Sequence, residues 1–337
     1  AVIYDYAGRI GFRLKRGIIM KKDSIMAEIQ YVQEDPFAEY YVAAEPDKEA
    51  KARAWSTAIG LQKVDNLQTS PYLVKTAQDN IEGRISIGEA KQLIDSYYNQ
   101  DRAKNETERT EEADKVAARI TEILAEESFV FSPAQYIAIH QRLFEDVFSH
   151  AGKIRDYNIT KKEWVLNGAS VTYGGAMELQ ATLDYDFRIE KEFSYQELSK
   201  DEMIHHLARF VANLWQIHVF GEGNTRTTAV FFIKYLKSLG FNATNDIFAV
   251  NSWYFRNALV RANYNNLQKG IHENYTYHEK TTSLCIRNSG LREPTLSSKP
   301  HQEAYFFIGA IISCVVLSTF PCSFLLSYVV FKKNYIA

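Results

Sequence analysis

A mainly α-helical fold with one small β-hairpin is what this sequence predicts. Three observations lead there. Apolar residues recur at helical spacing through most of the chain, and helix-start and helix-stop residues punctuate those stretches. Between Gly152 and Met177 the texture changes: Trp164-Val-Leu and Ser170-Val-Thr-Tyr flank Asn167-Gly168, a dipeptide favoured in two-residue hairpin turns.

Residues 26–50 carry no strong period. Trp55, Ala58, Ile59 and Leu61 then share one helical face within Lys51–Leu61. Pro71 suits the first turn of a helix capped by Ser70 and ended by Gly83. Ser86 precedes Glu89 at capping-box spacing, and Ala90, Leu93, Ile94 and Tyr97 continue an apolar face. The charge-dense run Asp101–Asp114 reads as a solvated linker or an outer helix face. Val116, Ile120, Ile123 and Leu124 restore the helical period, and Ser132-Pro133 starts a helix carrying Tyr136, Ile139, His140, Leu143 and Phe144. The hairpin between helices is a candidate recognition flap, able to accept a partner strand along its edge. Helical spacing resumes over Asp201–Ile217, and a buried helix runs from about Thr225 to Leu239, stopping at Gly240. His205 and His206 are assigned to structure. There is no internal repeat and no low-complexity tract.

The chain has 337 residues, 24% charged and 46% hydrophobic, an ordinary globular balance with enough length for a full core. A formal net charge of -2 gives no reason to expect specific nucleic-acid binding. The three cysteines, Cys285, Cys314 and Cys322, make no disulfide framework, which points to a reducing, cytoplasmic compartment. The first residues, AVIYDYAGRIGFRLKRGII, lack the pattern of a cleaved leader and read as an extension. From Tyr305 to Phe331 there is no Asp, Glu, Lys or Arg, and Lys332-Lys333 follow. That stretch is long enough to cross a bilayer, so a C-terminal membrane anchor stands beside a buried helical hairpin broken at Pro321 and a tail unrelated to the fold.

The most informative segment is His218-Val-Phe-Gly-Glu-Gly-Asn-Thr-Arg-Thr-Thr228. Gly221-Glu-Gly-Asn between two helices can turn its N–H groups toward one point, and the helix that follows adds free N–H groups and a positive dipole end. Such a nest suits phosphates. Arg226 can fork onto phosphate oxygens, and Glu222 can give an oxygen to Mg2+. His218 carries the one side chain here that ordinarily titrates near neutrality, the natural base for a hydroxyl nucleophile. Each residue alone has an ordinary structural explanation as a cap, turn or surface ion pair. The ordered set argues for transfer of a phosphoryl or nucleotidyl group.

His218-x-Phe220-x-Glu222-Gly223-Asn224-x-Arg226 resembles the signature of Fic-domain proteins, HxFx(D/E)GNGRxxR. The likeness extends through Leu143-Phe144, Val147-Phe148 and Ala151-Gly152-Lys-Ile-Arg155 and the flap before Met177, covering roughly residues 115–290. It implies a Fic-type helical core that uses ATP with Mg2+ to transfer AMP to a Ser, Thr or Tyr hydroxyl of a target protein. His218 then resembles the base, Glu222 the Mg2+ ligand, and Gly221, Gly223, Asn224 and Thr225 the anion-binding loop. Arg226 resembles a phosphate-holding arginine. Val171, Thr172 and Tyr173 lie near the flap, where residues 165–176 would dock the target. Self-modification and homodimers belong to the same expectation.

Two positions depart from the signature: its second glycine is Thr225 and its final arginine is Ala229. They leave open reduced activity, another phosphate donor, removal of AMP, or a Fic-like nucleotide-binding protein kept for interaction. Residues 51–97 resemble the small antitoxin-like regulatory domain of some Fic proteins, through Asp65-Asn66-Leu67, Thr69-Ser70 and Gly83-Arg-Ile-Ser-Ile87. In that likeness Asp65 takes the place of the inhibitory glutamate, whereas Leu61 replaces its Ser/Thr and Ala229 its arginine partner. The expected organisation is an extension at 1–50, a helical antitoxin-like module at 51–100, a Fic-type catalytic domain at 101–290 and an apolar tail at 291–337.

Overall fold

The computed structural model describes residues 2–4, 10–12, 35–42, 45–99, 108–241, 243, 246–272, 274–275, 279 and 282–283. The chain divides into compact units at 1–291 and 292–337, and the second lies wholly outside the described residues. Cys285, Cys314, Cys322 and the apolar stretch 305–331 also lie outside the described residues. Among the described residues no helix is long and apolar enough to cross a membrane.

The described part is mainly helical, as the periodicity predicts. Two three-residue strands, β1 (Val2–Tyr4) and β2 (Ile10–Phe12), pair antiparallel with Ile3 opposite Gly11. Among the described residues ten α-helices follow: α1 Ala38–Val42, α2 Pro46–Gln62, α3 Pro71–Ile81, α4 Ile87–Tyr98, α5 Glu108–Ala125, α6 Pro133–Phe144, α7 Leu179–Glu192, α8 Lys200–Ile217, α9 Asn224–Ser238 and α10 Asp246–Ala262.

The predicted caps form. Ser70 accepts from the Leu73 N–H, Ser86 and Glu89 close a reciprocal capping box, and Ser132 accepts from the Gln135 N–H. Gly83 and Gly240 take the left-handed conformation just past α3 and α9. Each cap settles orphan backbone groups locally, so such boundaries can be read from sequence.

Helix α9 is the centre of the fold: every residue from Asn224 to Leu236 is buried. The α6, α8 and α5 helices pack on it, while α2 packs most extensively on α5 and α10. The contact between α2 and α10 depends on Gly60, where a Cβ would lie 2.3 Å from the Phe248 carbonyl oxygen. Ser252 Oγ donates to the Gly60 carbonyl at 2.6 Å and fixes that crossing. Trp55, Leu61, Val116, Ile120, Trp215 and Phe231 all lie in one hydrophobic cluster, so residues 51–98 share their core with the helices that carry the motif.

Two expectations are corrected. The flap is not a β-hairpin. Asn167 and Gly168 do form the tight turn, with positive φ at both and the Ala169 N–H bonded to the Leu166 carbonyl at 3.2 Å. The flanking residues do not pair as strands, because Trp164–Leu166 coils into a 3-10 turn and the Gly168 N–H also returns to the Glu163 carbonyl. The charge run before Val116 is not simply a solvated face either. Glu112 and Asp114 are buried, each satisfied by groups from elsewhere in the fold. Asp114 accepts from the Ser70 N–H at 2.9 Å and from the Tyr98 hydroxyl at 2.7 Å, joining α5 to the start of α3 and the end of α4.

Candidate active site

Residues 218–226 connect the C-terminus of α8 to the N-terminus of α9. His218 ends α8 in the left-handed conformation (φ 53°), and its N–H still bonds the Trp215 carbonyl. Arg155 holds that turn. The Arg155 Nε donates to the His218 carbonyl at 2.8 Å, its guanidinium also reaches the Tyr157 and Gly174 carbonyls, and its N–H bonds the Val219 carbonyl. Asn224 clamps the loop from inside: its Oδ1 accepts from the Phe220 N–H at 3.0 Å and its Nδ2 donates to the Phe220 carbonyl at 2.7 Å. Gly223 permits the last bend, since its φ is 73° and a Cβ there would strike the Phe144 ring at 2.4 Å.

The His218 side chain is 4% exposed. Its Nδ1 lies 3.3 Å from the Trp215 carbonyl, which makes that nitrogen the protonated one and leaves Nε2 as an acceptor. Nε2 is buried with no hydrogen-bond partner. The Tyr173 ring lies 4.4 Å from the imidazole, and the Tyr173 hydroxyl donates to Glu163 at 3.2 Å. Burial, then the charge of Lys161, holds the His218 pKa well below its ordinary value, so the ring is neutral at pH 7.

The other predicted residues divide between two sides of the loop. Glu222 is open to solvent, with its side chain 60% exposed and its Oε2 3.7 Å from Lys161 Nζ. Arg226 lies on the buried side. Its Nη1 donates to Gln62 Oε1 at 3.0 Å and its Nη2 to Glu112 Oε1 at 2.7 Å, while its Nε is 2.7 Å from Asp65 Oδ2. The Phe144 ring covers the same guanidinium at 4.7 Å. Asp65 therefore meets an arginine of the motif, though it is Arg226 rather than a residue at position 229. Ala229 is fully buried. Thr225 turns its hydroxyl inward to accept from Trp215 Nε1 at 3.0 Å. Gly221 packs closely below Tyr157 and His150. Val171 and Tyr173 are buried, whereas Thr172 is exposed and its carbonyl accepts from Gln216 Nε2 at 3.0 Å.

Sequence reasoning missed several residues that shape this site. His140 sits in the predicted apolar face of α6, yet its ring stacks on Phe220 at 3.7 Å. Its Nδ1 accepts from the Gly152 N–H at 2.9 Å, which leaves Nε2–H to donate to the Glu222 carbonyl at 3.1 Å. Burial lowers its pKa to about 3. Glu163 joins the flap to α10, with Oε2 2.9 Å from Arg256 Nη2. Glu112 had a readable signal, because it stands in register with Val116 and Ile120 on the buried stripe of α5. Lys161, in the irregular segment before the flap turn, had none.

Residues 130–236 match the sequence profile of the Fic/DOC family. Over that segment the sequence is similar to Fic/DOC domains. Proteins with Fic/DOC domains transfer AMP or related phosphate-bearing groups onto proteins. Two solved structures are similar to it. One is the N-terminal Fic domain of a VirB-translocated effector from Bartonella sp. AR 15-3, at 17% identity and TM-score 0.43, covering 55% of this chain and 85% of that one. The other is the N-terminal Fic domain of the Bep8 effector from Bartonella sp. 1-1C, at 20% identity and TM-score 0.41, covering 57% and 91%. No curated protein matches the chain.

Proposed function

We propose that the Fic/DOC domain is a nucleotidyltransferase that moves AMP from ATP to a Ser, Thr or Tyr hydroxyl of a target protein, with His218 as general base. The observation that supports this most is the state of His218: neutral, fixed in one tautomer through Trp215, with Nε2 unpartnered beside the phosphate-type loop. Nε2 takes the proton of the attacking hydroxyl, whose oxygen then bonds to the α-phosphorus as pyrophosphate leaves. The Nδ1–H bond to the Trp215 carbonyl stabilises the imidazolium that forms. Helix α9 has no side-chain cap at its N-terminus, which suits phosphate oxygens at its first N–H groups.

The residues fit a Mg2+ ion carried in with the nucleotide. Among the described residues no cluster of three His, Cys, Asp or Glu side chains could hold a metal alone. Glu222 presents one exposed carboxylate, and Mg2+ at nucleotide sites takes one or two carboxylates, with phosphates and water completing its shell. Such an ion supplies charge neutralisation on the phosphates. The target hydroxyl would be presented by a protein segment lying along residues 165–176.

A second reading, a nucleotide-binding protein with little transfer activity, is favoured by two observations: Tyr173 covers His218, and Arg226 is committed to Gln62, Asp65 and Glu112. The test incubates wild type and His218→Ala with Mg2+ and ATP labelled on the α-phosphate, in cell lysate. Label transferred to protein by wild type, and reduced about 10²–10⁴-fold in His218→Ala, is the expected result. Equal labelling by both would remove His218 as base. Nucleotide binding by wild type without labelling would establish the second reading.

A further inference from the structure

Phosphates brought to residues 221–226 need a cation that can reach them, and the charges near this loop can be taken one at a time. Arg226 is 1% exposed and engaged by Gln62, Asp65 and Glu112. Arg155 is buried and spends its guanidinium on the His218, Tyr157 and Gly174 carbonyls. Arg256 is paired with the buried Glu163. Position 229, one turn beyond Arg226, is a buried alanine. Lys161 differs from all of these. Its side chain is 34% exposed, and its ammonium sits 3.7 Å from Glu222, beyond hydrogen-bond length and across from a carboxylate that is itself 60% exposed.

An exposed pair at that separation contributes little, so Lys161 can leave Glu222 at small cost. Its flexible stem and three rotatable donors suit a point contact with phosphate. Its position toward the reacting centre has independent support: after burial, Lys161 is the largest influence lowering the His218 pKa, ahead of Arg155 and Arg256.

Building on the nucleotide-transfer reading above, we propose that Lys161 is the phosphate-holding cation of this site, exchanging its contact with Glu222 for the phosphates of the bound nucleotide. Lys161 then supplies the charge that the family signature assigns to arginines. Because Lys161 rides on the segment leading into the flap, nucleotide binding draws that segment toward the loop.

The test is ATP binding by calorimetry for full-length wild type, Lys161→Ala, Lys161→Arg and Lys162→Ala, each in EDTA and in Mg2+. The expected result is a Kd at least about tenfold weaker for Lys161→Ala in EDTA, a smaller loss in Mg2+, and near wild-type affinity for Lys161→Arg and Lys162→Ala. Urea midpoints should coincide for all four proteins, because an exposed lysine that only held the fold would shift its own. If wild type and Lys161→Ala bind ATP within twofold of each other in EDTA, the proposal is overturned while the nucleotide reading stands. If wild type binds no ATP in either condition, both fall.

Discussion

On one side of the loop 218–226, Arg226 is closed in by Gln62, Asp65, Glu112 and Phe144, with little of its surface left to solvent. On the other, Glu222 is mostly exposed and its neighbour, Lys161, stands at a loose 3.7 Å. Both sides hold opposite charges close together, but the physics differs. A desolvated guanidinium costs several kcal/mol unless it is paired, so the buried side is bound to its partners. The exposed side keeps its hydration and can exchange partners freely. The chain thus uses one motif arginine to anchor α2 and α5 to α9, and leaves Glu222 open to solvent on the other face of the loop.

The largest expected effect is on the buried side. Glu112→Ala removes a carboxylate 2.7 Å from Arg226 Nη2 in a site with little water, and should cost about 3–5 kcal/mol in urea unfolding. Glu222→Gln, which breaks the exposed pair, should cost less than about 1 kcal/mol. Equal costs for the two variants would abolish the distinction between the sides.

An intermediate effect comes from pH. His140 supports the loop by donating to the Glu222 carbonyl, and burial holds its pKa near 3. A histidine whose folded pKa lies below its unfolded value binds fewer protons when folded. Its stabilising contribution is complete above the unfolded pKa near 6.5 and is lost as pH falls toward the folded value. Each such histidine should remove about 1.4 kcal/mol per pH unit in that window, and His218 adds to the slope in the same direction. Comparing urea unfolding at pH 7 and pH 5, His140→Gln should lose roughly 2 kcal/mol less than wild type. Parallel pH dependence in both proteins would mean that His140 takes up protons in the fold as readily as in the unfolded chain.

The loop itself was legible in sequence. His218, Glu222 and the glycines are neighbours in the chain, and their spacing alone suggests a loop that grips phosphate. The helix boundaries at Ser70, Ser86, Ser132, Gly83 and Gly240 were legible for the same reason, because a cap and its helix are adjacent. The buried side was not. Arg226 and Glu112 are 114 positions apart, and nothing local to either marks the other as its partner. The charge run before Val116 looks solvated until the fold brings Ser70, Tyr98 and Arg226 to it. The flap failed differently: Asn167-Gly168 fixes its turn, but strands need paired flanks, and Glu163 is held instead by Arg256 and Tyr173. Helices α7 and α10 escaped the sequence reading altogether; α7 opens at Glu178 with no side-chain cap to mark its start.

The smallest effect concerns Thr225, which stands where the family signature has glycine. On sequence alone its side chain would crowd the phosphates. In the fold its hydroxyl accepts from Trp215 Nε1, so it belongs to the buried side and braces the turn that holds His218. Thr225→Val keeps the volume and strands the indole N–H, which should cost about 1 kcal/mol in urea unfolding. Thr225→Ser keeps the acceptor and should cost less. Neither should change the Kd for ATP by more than about twofold, because neither alters a group on the open face. A Thr225→Gly variant that bound ATP tenfold more tightly would place the threonine among the phosphates and move the division between the two sides one residue along the helix.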